Sequence, residues 1–285
     1  MHACEQEIMS TRNIRLRLAY DGSGYFGWQV QPGTRTVQEV LEKAIRSLTG
    51  EDVRAMCAGR TDAGVHALGQ VVSFPTSSTI PARKFAAALQ PRLPGDVVVL
   101  ESAEAAGDFH ATYSAVSKRY RYVIRCAEVD DPFFARFAWR VGVSLDFAQM
   151  QSASQALLGT HDFRCFESQW PNKATSVRTV LEARWTRCDR WPAWSAEPLD
   201  VDGPNETANG EFLCFEIEAD GFLYNMVRAI VGTLYDIGRG RWPADRMQTI
   251  IASQDRAHAG ETAPARGLYL VRVNYEERKN PATAD

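Results

Sequence analysis

The sequence predicts an α+β protein of two similar α/β units in tandem, with mixed strands and helices packed on one side of the sheet. Three observations carry this. The 285 residues exceed the usual single domain of about 100 to 150 residues. Period-two stretches are interleaved with stretches of helical period. The order strand, helix, loop, strand occurs twice, without a residue-by-residue repeat. On this reading residues 12–112 form an N-terminal unit, 113–275 a C-terminal unit, and 1–11 and 276–285 flexible tails.

In the first unit, Ile14, Leu16 and Leu18 alternate with Arg15 and Arg17, a half-buried strand ended by Asp21-Gly22-Ser23-Gly24. Thr36 and Glu39 form a capping box opening a helix with Val37, Val40, Leu41, Ala44, Ile45 and Leu48 on one stripe, stopped at Gly50. Gly69 to Phe74 reads as a strand, and about 82–89 as a helix closed by Pro91 and Leu93-Pro94-Gly95-Asp96, before the apolar run 97–100. The second unit opens with a strand, 119–125, in which basic residues alternate with aromatic or aliphatic ones. Leu145 to Leu158 then reads as a helix, 177–185 and 212–219 as strands, and Phe222 to Ile237 as a helix ended by Gly238. The Pro-, Asp-, Asn- and Glu-rich stretch at 191–209 reads as an acidic insertion in a hairpin.

Composition narrows the class. The chain is 45% hydrophobic and 24% charged, ordinary for a soluble globular protein. No run of about 18 apolar residues suggests a membrane span, and Met1 to Asn13 has no apolar signal-peptide centre, so a cytoplasmic location is expected. The six cysteines never form Cys-x-x-Cys, and the five histidines show no ligand spacing. Reduced thiols and no metal are expected. Net charge is −3, but residues 191–220 hold eight acids and no Lys or Arg. The −3 of the chain less the −8 of that segment leaves +5 elsewhere, clustered at Lys118, Arg119, Arg121 and Arg125, at Arg178, Arg184, Arg187 and Arg190, and at Arg228, Arg239, Arg241 and Arg246. Such clusters suit phosphate binding, although any one of them is more often a solvated face.

The chemistry concentrates in Gly59-Arg60-Thr61-Asp62-Ala63-Gly64-Val65-His66-Ala67. A carboxylate and a guanidinium share a glycine-bounded reversal before a strand, where a rigid sheet displays side chains. Thr61-Asp62-Ala63-Gly64 is equally ordinary turn chemistry. The rest of the chain decides.

Blocks along the chain resemble the tRNA pseudouridine synthase A family. They are Tyr20-Asp21-Gly22 with Gly27-Trp28-Gln29, Val37-Gln38, the Asp62 loop with Gly69-Gln70-Val71, and Leu93-Pro94-Gly95-Asp96. They continue with Asp108-Phe109-His110-Ala111, Lys118 to Tyr122, His161-Asp162-Phe163 with Phe166, Phe222 to Arg228 with Gly232, and Ala263-Pro264-Ala265 with Gly267 to Leu270. The ordered set, from about residue 14 to 275, is highly specific.

The resemblance implies the pseudouridine synthase fold: mixed, mainly antiparallel sheets with an active-site cleft between the units. It implies an isomerase of the tRNA anticodon stem-loop, acting on uridines 38, 39 and 40, without a cofactor. A homodimer would then hold the tRNA elbow on one subunit and process the anticodon arm on the other. Asp62 matches the essential aspartate, as nucleophile or general base. Arg60 would keep Asp62 ionised or hold the phosphate backbone. Tyr120 would stack on the flipped uracil, with Tyr122 as its rival on the same strand face. Leu268 would close the pocket, and Arg228 would touch RNA phosphate or the Asp62 loop. Arg119, Arg121 and His66 complete the expected substrate contacts. The family usually carries Asn where this chain has Gln90 and Ala229. Alternatives are a synthase of the same fold acting on other tRNA uridines and a catalytically silent RNA-binding protein. A glycoside hydrolase or phosphohydrolase would need a second carboxylate or a metal cluster, which no motif supplies.

Overall fold

The computed structural model describes residues 11–168, 175–188, 191 and 212–276. The expected tails and nearly all of the acidic insertion at 191–209 therefore lie outside the described residues.

In the first half, β1 (Arg12–Tyr20) buries Ile14, Leu16 and Leu18, as its alternation requires. It lies antiparallel between β3 (His66–Thr76) and β4 (Val97–Ala105), while the short β2 (Met56–Cys57) pairs with β3. Helix α1 (Val37–Thr49) starts where the Thr36 hydroxyl accepts the Glu39 N–H at 3.4 Å and ends at Gly50, φ 78°. The Glu39 carboxylate reaches forward to Lys43 at 2.6 Å instead of back to the cap. Helix α2 (Phe85–Leu89) is short because 3₁₀ turns flank it and Pro91 sits in the second. Gln90 brackets the start of β4: its Nε2 donates to Val97 O at 3.1 Å, and its Oε1 accepts the Val99 N–H at 3.0 Å.

The second half supplies β5 (Ala115–Cys126), β6 (Trp139–Val141), α3 (Phe147–Ser154), β7 (Gly159–Asp162), β8 (Val177–Cys188), β9 (Phe212–Ala219), α4 (Met226–Gly238), α5 (Arg246–Ser253) and β10 (Leu268–Tyr275). The strands of both halves form one open sheet in the order β4-β1-β3-β10-β5-β9-β8-β7, with β2 beside β3 and β6 beside β5. Pairing is antiparallel except between β10 and β3 and between β5 and β6. The sheet is thus mixed and mainly antiparallel, as expected. Strand β10, which no periodicity announced, joins the halves. On one edge Tyr269 lies beside His66, and on the other Leu268 and Leu270 face Tyr122 and Tyr120.

One face of the sheet carries the main core. Leu16, Tyr120, Tyr122, Leu268 and Leu270 pack there with Leu41 and Ile45 of α1 and Ile230 and Leu234 of α4. A smaller apolar cluster, including Val123, Phe212, Tyr269 and Val271, lies apart from it and is backed by Phe134 and Phe137. Among the described residues, no helix is long and apolar enough to cross a membrane.

Helix α4 starts four residues later than its apolar stripe suggested. Residues 223–226 form a turn instead, with the Met226 N–H on Leu223 O at 3.1 Å and Asn225 in the left-handed region at φ 62°. The delay places Arg228 in the first helical turn. Further along α4, Gly232 lets the segment before β10 cross the helix in contact with it: a Cβ there would stand 1.7 Å from Glu261 O. The crossing is tied by the Gly260 N–H on Thr233 Oγ1 at 2.9 Å and the Ala263 N–H on Arg228 O at 3.0 Å.

Glycine inside a helix ordinarily costs about 1 kcal/mol relative to alanine, so Gly232→Ala in an open helix would stabilise. Here the clash reverses the sign. Urea denaturation should show Gly232→Ala less stable by roughly 2 kcal/mol or more, in the range of overpacked cores. A gain in stability would contradict the crossing.

Candidate active site

Residues 59–65 are held mainly through the backbone. Gln70 Nε2 donates to Gly59 O at 2.7 Å. The Trp28 N–H donates to Thr61 O at 3.0 Å, the Val65 N–H to Asp62 O at 3.1 Å, and the Gly64 N–H to Tyr25 O at 3.2 Å. The Tyr20 hydroxyl meets Thr61 Oγ1 at 2.8 Å. Two glycines make this closeness possible: a Cβ at Gly22 would lie 2.0 Å from Val65 O, and one at Gly27 2.6 Å from Thr61 O. The loop is therefore a real turn, closed between Asp62 O and the Val65 N–H. Its closure uses the Asp62 carbonyl and leaves the carboxylate for something else.

That carboxylate pairs with Arg228, whose Nη1 lies 3.2 Å from Asp62 Oδ2. Nη1 also donates to Asn225 Oδ1 at 2.7 Å, and Nε donates to Ala263 O at 2.7 Å. Asn225 Nδ2 is bonded in turn to Ser168 Oγ at 2.8 Å. Arg228 thus reaches Asp62 from a braced position. Burial pushes the Asp62 carboxyl above its ordinary range, and the charge and hydrogen bond of Arg228 pull it only part of the way back.

Arg60, expected against Asp62, is not its partner. Arg60 is exposed and makes no ion pair among the described residues, while the cation at the carboxylate comes from α4. Neighbours in sequence need not be neighbours in charge, because Thr61 between them is buried against Tyr20. The expectation that Arg60 lowers the Asp62 pKa is corrected on both points, the partner and the direction.

Tyr120 is 7% exposed, and its ring meets Phe222 edge-on at 5.0 Å. Burial first, then the nearby Tyr20 hydroxyl and Asp62, raise its hydroxyl far above the ordinary range, so it stays protonated through neutral pH. Tyr122 is occupied elsewhere: its hydroxyl donates to Pro264 O at 2.7 Å, and its ring lies edge-on to Trp139. Leu268 is buried opposite Tyr122 in the register, at the end of a 3₁₀ turn whose Ala265 Cβ would stand 3.3 Å from a Cβ on Gly64. Asp62, Arg228, Tyr120 and the Leu268 segment therefore converge.

The other expected contacts do not join them. Arg119 and Arg121 lie opposite Glu218 and Glu216 in the register of β5 and β9. Arg121 Nη2 is 2.8 Å from Glu216 Oε1 with both residues at 0% exposure, and Arg119 Nε donates to Glu218 at 2.9 Å. Arg119 also meets Glu182. These guanidiniums neutralise buried carboxylates and are not displayed to a substrate. The signal was present as Glu216-Ile217-Glu218, the same period with opposite charge. His66 is likewise buried: the Gly22 N–H points at its Nδ1 at 3.1 Å, its Nε2 is 3.0 Å from Arg136 O, and its ring stacks on Tyr269 at 4.8 Å. It braces the loop end. Sequence reasoning missed Asn225, legible only as part of the block before Arg228, and the Ala263 carbonyl, which carries no signal.

Fold and site together define an enzyme that presents one partly buried carboxylate, paired with an arginine, on a backbone-anchored loop of an open mixed sheet. The model of the tRNA pseudouridine synthase family matches residues 18–114 and 153–276. The chain is 46% identical to tRNA pseudouridine synthase A of Acetivibrio thermocellus over 264 residues, covering 93% of this chain and 100% of that protein. It is 44% identical to the protein of the same name from Moorella thermoacetica (92% and 99% covered) and 41% identical to that from Lysinibacillus sphaericus (93% and 100%). The chain belongs to the tRNA pseudouridine synthase family.

The electrostatics make a prediction with a definite sign. Because the folded-state pKa of Asp62 is raised, its ionisation costs stability as pH climbs from about 3.9, the unfolded value, through the raised value. Arg228→Gln removes the group that lowers the pKa. Carboxyl-carbon NMR should therefore show Asp62 titrating above the ordinary range, and higher still in Arg228→Gln. The variant should also lose more stability at neutral pH than at about pH 4. An unchanged or lower Asp62 midpoint in Arg228→Gln would contradict the pairing.

Proposed function

We propose that this protein converts uridine to pseudouridine in the anticodon stem-loop of tRNA, at positions 38, 39 and 40, with Asp62 as nucleophile or general base. The observation that carries the reading is the Asp62–Arg228 pair on its anchored loop, in a chain of this family. The reaction breaks the bond between ribose C1′ and uracil N1, turns the base, and joins C1′ to C5. The proton leaves C5 and one is gained at N1, so no atom is lost or added overall. All of this is within reach of one carboxylate and its surroundings.

Each neighbour has a task. Arg228 favours the ionised carboxylate that either nucleophilic or basic chemistry needs. Tyr120 offers a buried ring to the uracil, replacing stacking lost when the nucleotide leaves the helix, a cost of a few kcal/mol. Its protonated hydroxyl can donate a hydrogen bond to the base. Leu268 closes the apolar side of the pocket, and exposed Arg60 is free to hold backbone phosphate. Arg119, Arg121 and His66 support the site from within the sheet instead of touching RNA. A cytoplasmic homodimer that carries the tRNA elbow on the second subunit completes the reading.

The test is tritium release from C5-labelled uridine in unmodified tRNA. Wild-type protein should release it without added cofactor, and Asp62→Asn should slow release by about a thousandfold or more while still binding tRNA. Activity retained by Asp62→Asn would sink the assignment. Mapping of the product should place pseudouridine in the anticodon arm. The acid limb of kcat/KM should lie above the ordinary carboxylate range, following Asp62.

A further inference from the structure

A nucleotide held at Asp62 brings two phosphates with it, one on each side, and most cations around the site already serve the protein. Arg228 holds Asp62, Asn225 and Ala263, and Arg119 and Arg121 are buried on glutamates. Arg178 is buried, with its Nη1 on the Thr175 and Val177 carbonyls. Beside the Asp62 loop, two guanidiniums are exposed with no hydrogen bond or ion pair among the described residues: Arg60 and Arg266. Elsewhere on the surface, Arg35, Arg46 and Arg164 have carboxylate partners, whereas Arg15, Arg54 and Arg83 are exposed with no ion pair among the described residues.

Arg266 leaves the backbone from a fixed place. Its 3₁₀ turn, 265–267, ends with the Leu268 N–H on Ala265 O. The preceding carbonyl, Pro264 O, takes the Tyr122 hydroxyl at 2.7 Å, and the following Gly267 is so close to Tyr122 that a Cβ would lie 2.7 Å from its ring. Ala265 touches the Gly64 end of the catalytic loop, whereas Arg60 stands at the other end, two residues before Asp62. The two free cations thus border the loop from opposite ends, one in each half of the chain. A guanidinium fork matches phosphate oxygens bidentately, and anchoring its backbone reduces the ordering cost of binding.

We propose that Arg266 is a phosphate-binding residue of the RNA site, which together with Arg60 clasps the phosphates flanking the nucleotide presented to Asp62. The proposal rests on the RNA-isomerase reading above. It explains why a rigid turn beside the pocket displays an unpaired cation.

The test measures tRNA binding across about 50 to 200 mM salt in the Asp62→Asn background, where turnover does not interfere, and steady-state kinetics in the intact enzyme. Arg266→Ala should weaken binding about tenfold or more and reduce the slope of log affinity against log salt by about one. Arg266→Lys should restore the slope but not the full affinity, since it keeps the charge and loses the fork. In turnover, KM should rise while kcat changes by less than about threefold, the pattern of a contact made equally in ground and transition states. Arg83, also exposed and unpartnered but on the 3₁₀ turn packed against edge strand β4, is the control, and Arg83→Ala should change neither slope nor KM. Active wild-type enzyme with an unchanged slope and KM in Arg266→Ala would overturn the proposal alone, as would an equal effect of Arg83→Ala. Wild-type protein that releases no tritium from tRNA would overturn the underlying reading.

Discussion

The contact between Asp62 and Arg228 joins two segments 166 residues apart, and the arrangement of the site depends on it. Asp62 comes from the first half and Arg228 from the second, so the pair forms only when both halves are assembled on one sheet. Its electrostatics are finely opposed. Partial burial disfavours the charge that acid–base or nucleophilic chemistry requires, and the arginine favours it. Burial has the larger effect, which leaves a carboxylate less comfortable than one in water and correspondingly more basic. A second nearby acid is not required for that.

Holding such a pair in place takes backbone precision, and several close approaches supply it. Gly22 and Gly27 let the 22–28 segment lie directly on the Asp62 loop, and Gly232 lets the segment ahead of β10 lie on α4. Ala263 then fixes the Arg228 side chain through its carbonyl and the Arg228 backbone through its N–H. The same segment continues through Leu268 into β10, the strand between the halves. One short stretch of chain therefore positions the arginine, borders the Gly64 end of the Asp62 loop and joins the sheet. Changes within it act on all three together.

Much of this was legible locally. The alternation in Ile14 to Leu18, the Thr36 cap and the Gly50 stop each produced the expected element, because strand and helix periods and caps are short-range properties. The resemblance blocks also located Asp62, Tyr120, Arg228 and Leu268, which do converge. Several readings changed for identifiable reasons. The alternating arginines of β5 looked like a basic surface, but their register partners in β9 are glutamates, and facing charges neutralise each other inside the protein. The α4 stripe extended back to Phe222, but Asn225 adopts a left-handed conformation that hydrophobic periodicity does not report. Strand β10 was missed because burial on both faces erases the alternation that marks a strand.

The sequence by itself determined the α+β class, the glycine-bounded loop that carries Asp62, and the ordered blocks that identify the family, since all are written in residue types and short spacings. Only the tertiary structure decided which arginine meets Asp62, which arginines are buried on glutamates, and which are left exposed beside the Asp62 loop. Those outcomes turn on strand register and on crossings between segments far apart in the chain. Charge pairing follows distance in space, and a one-dimensional spacing of Arg60 to Asp62 does not contain it.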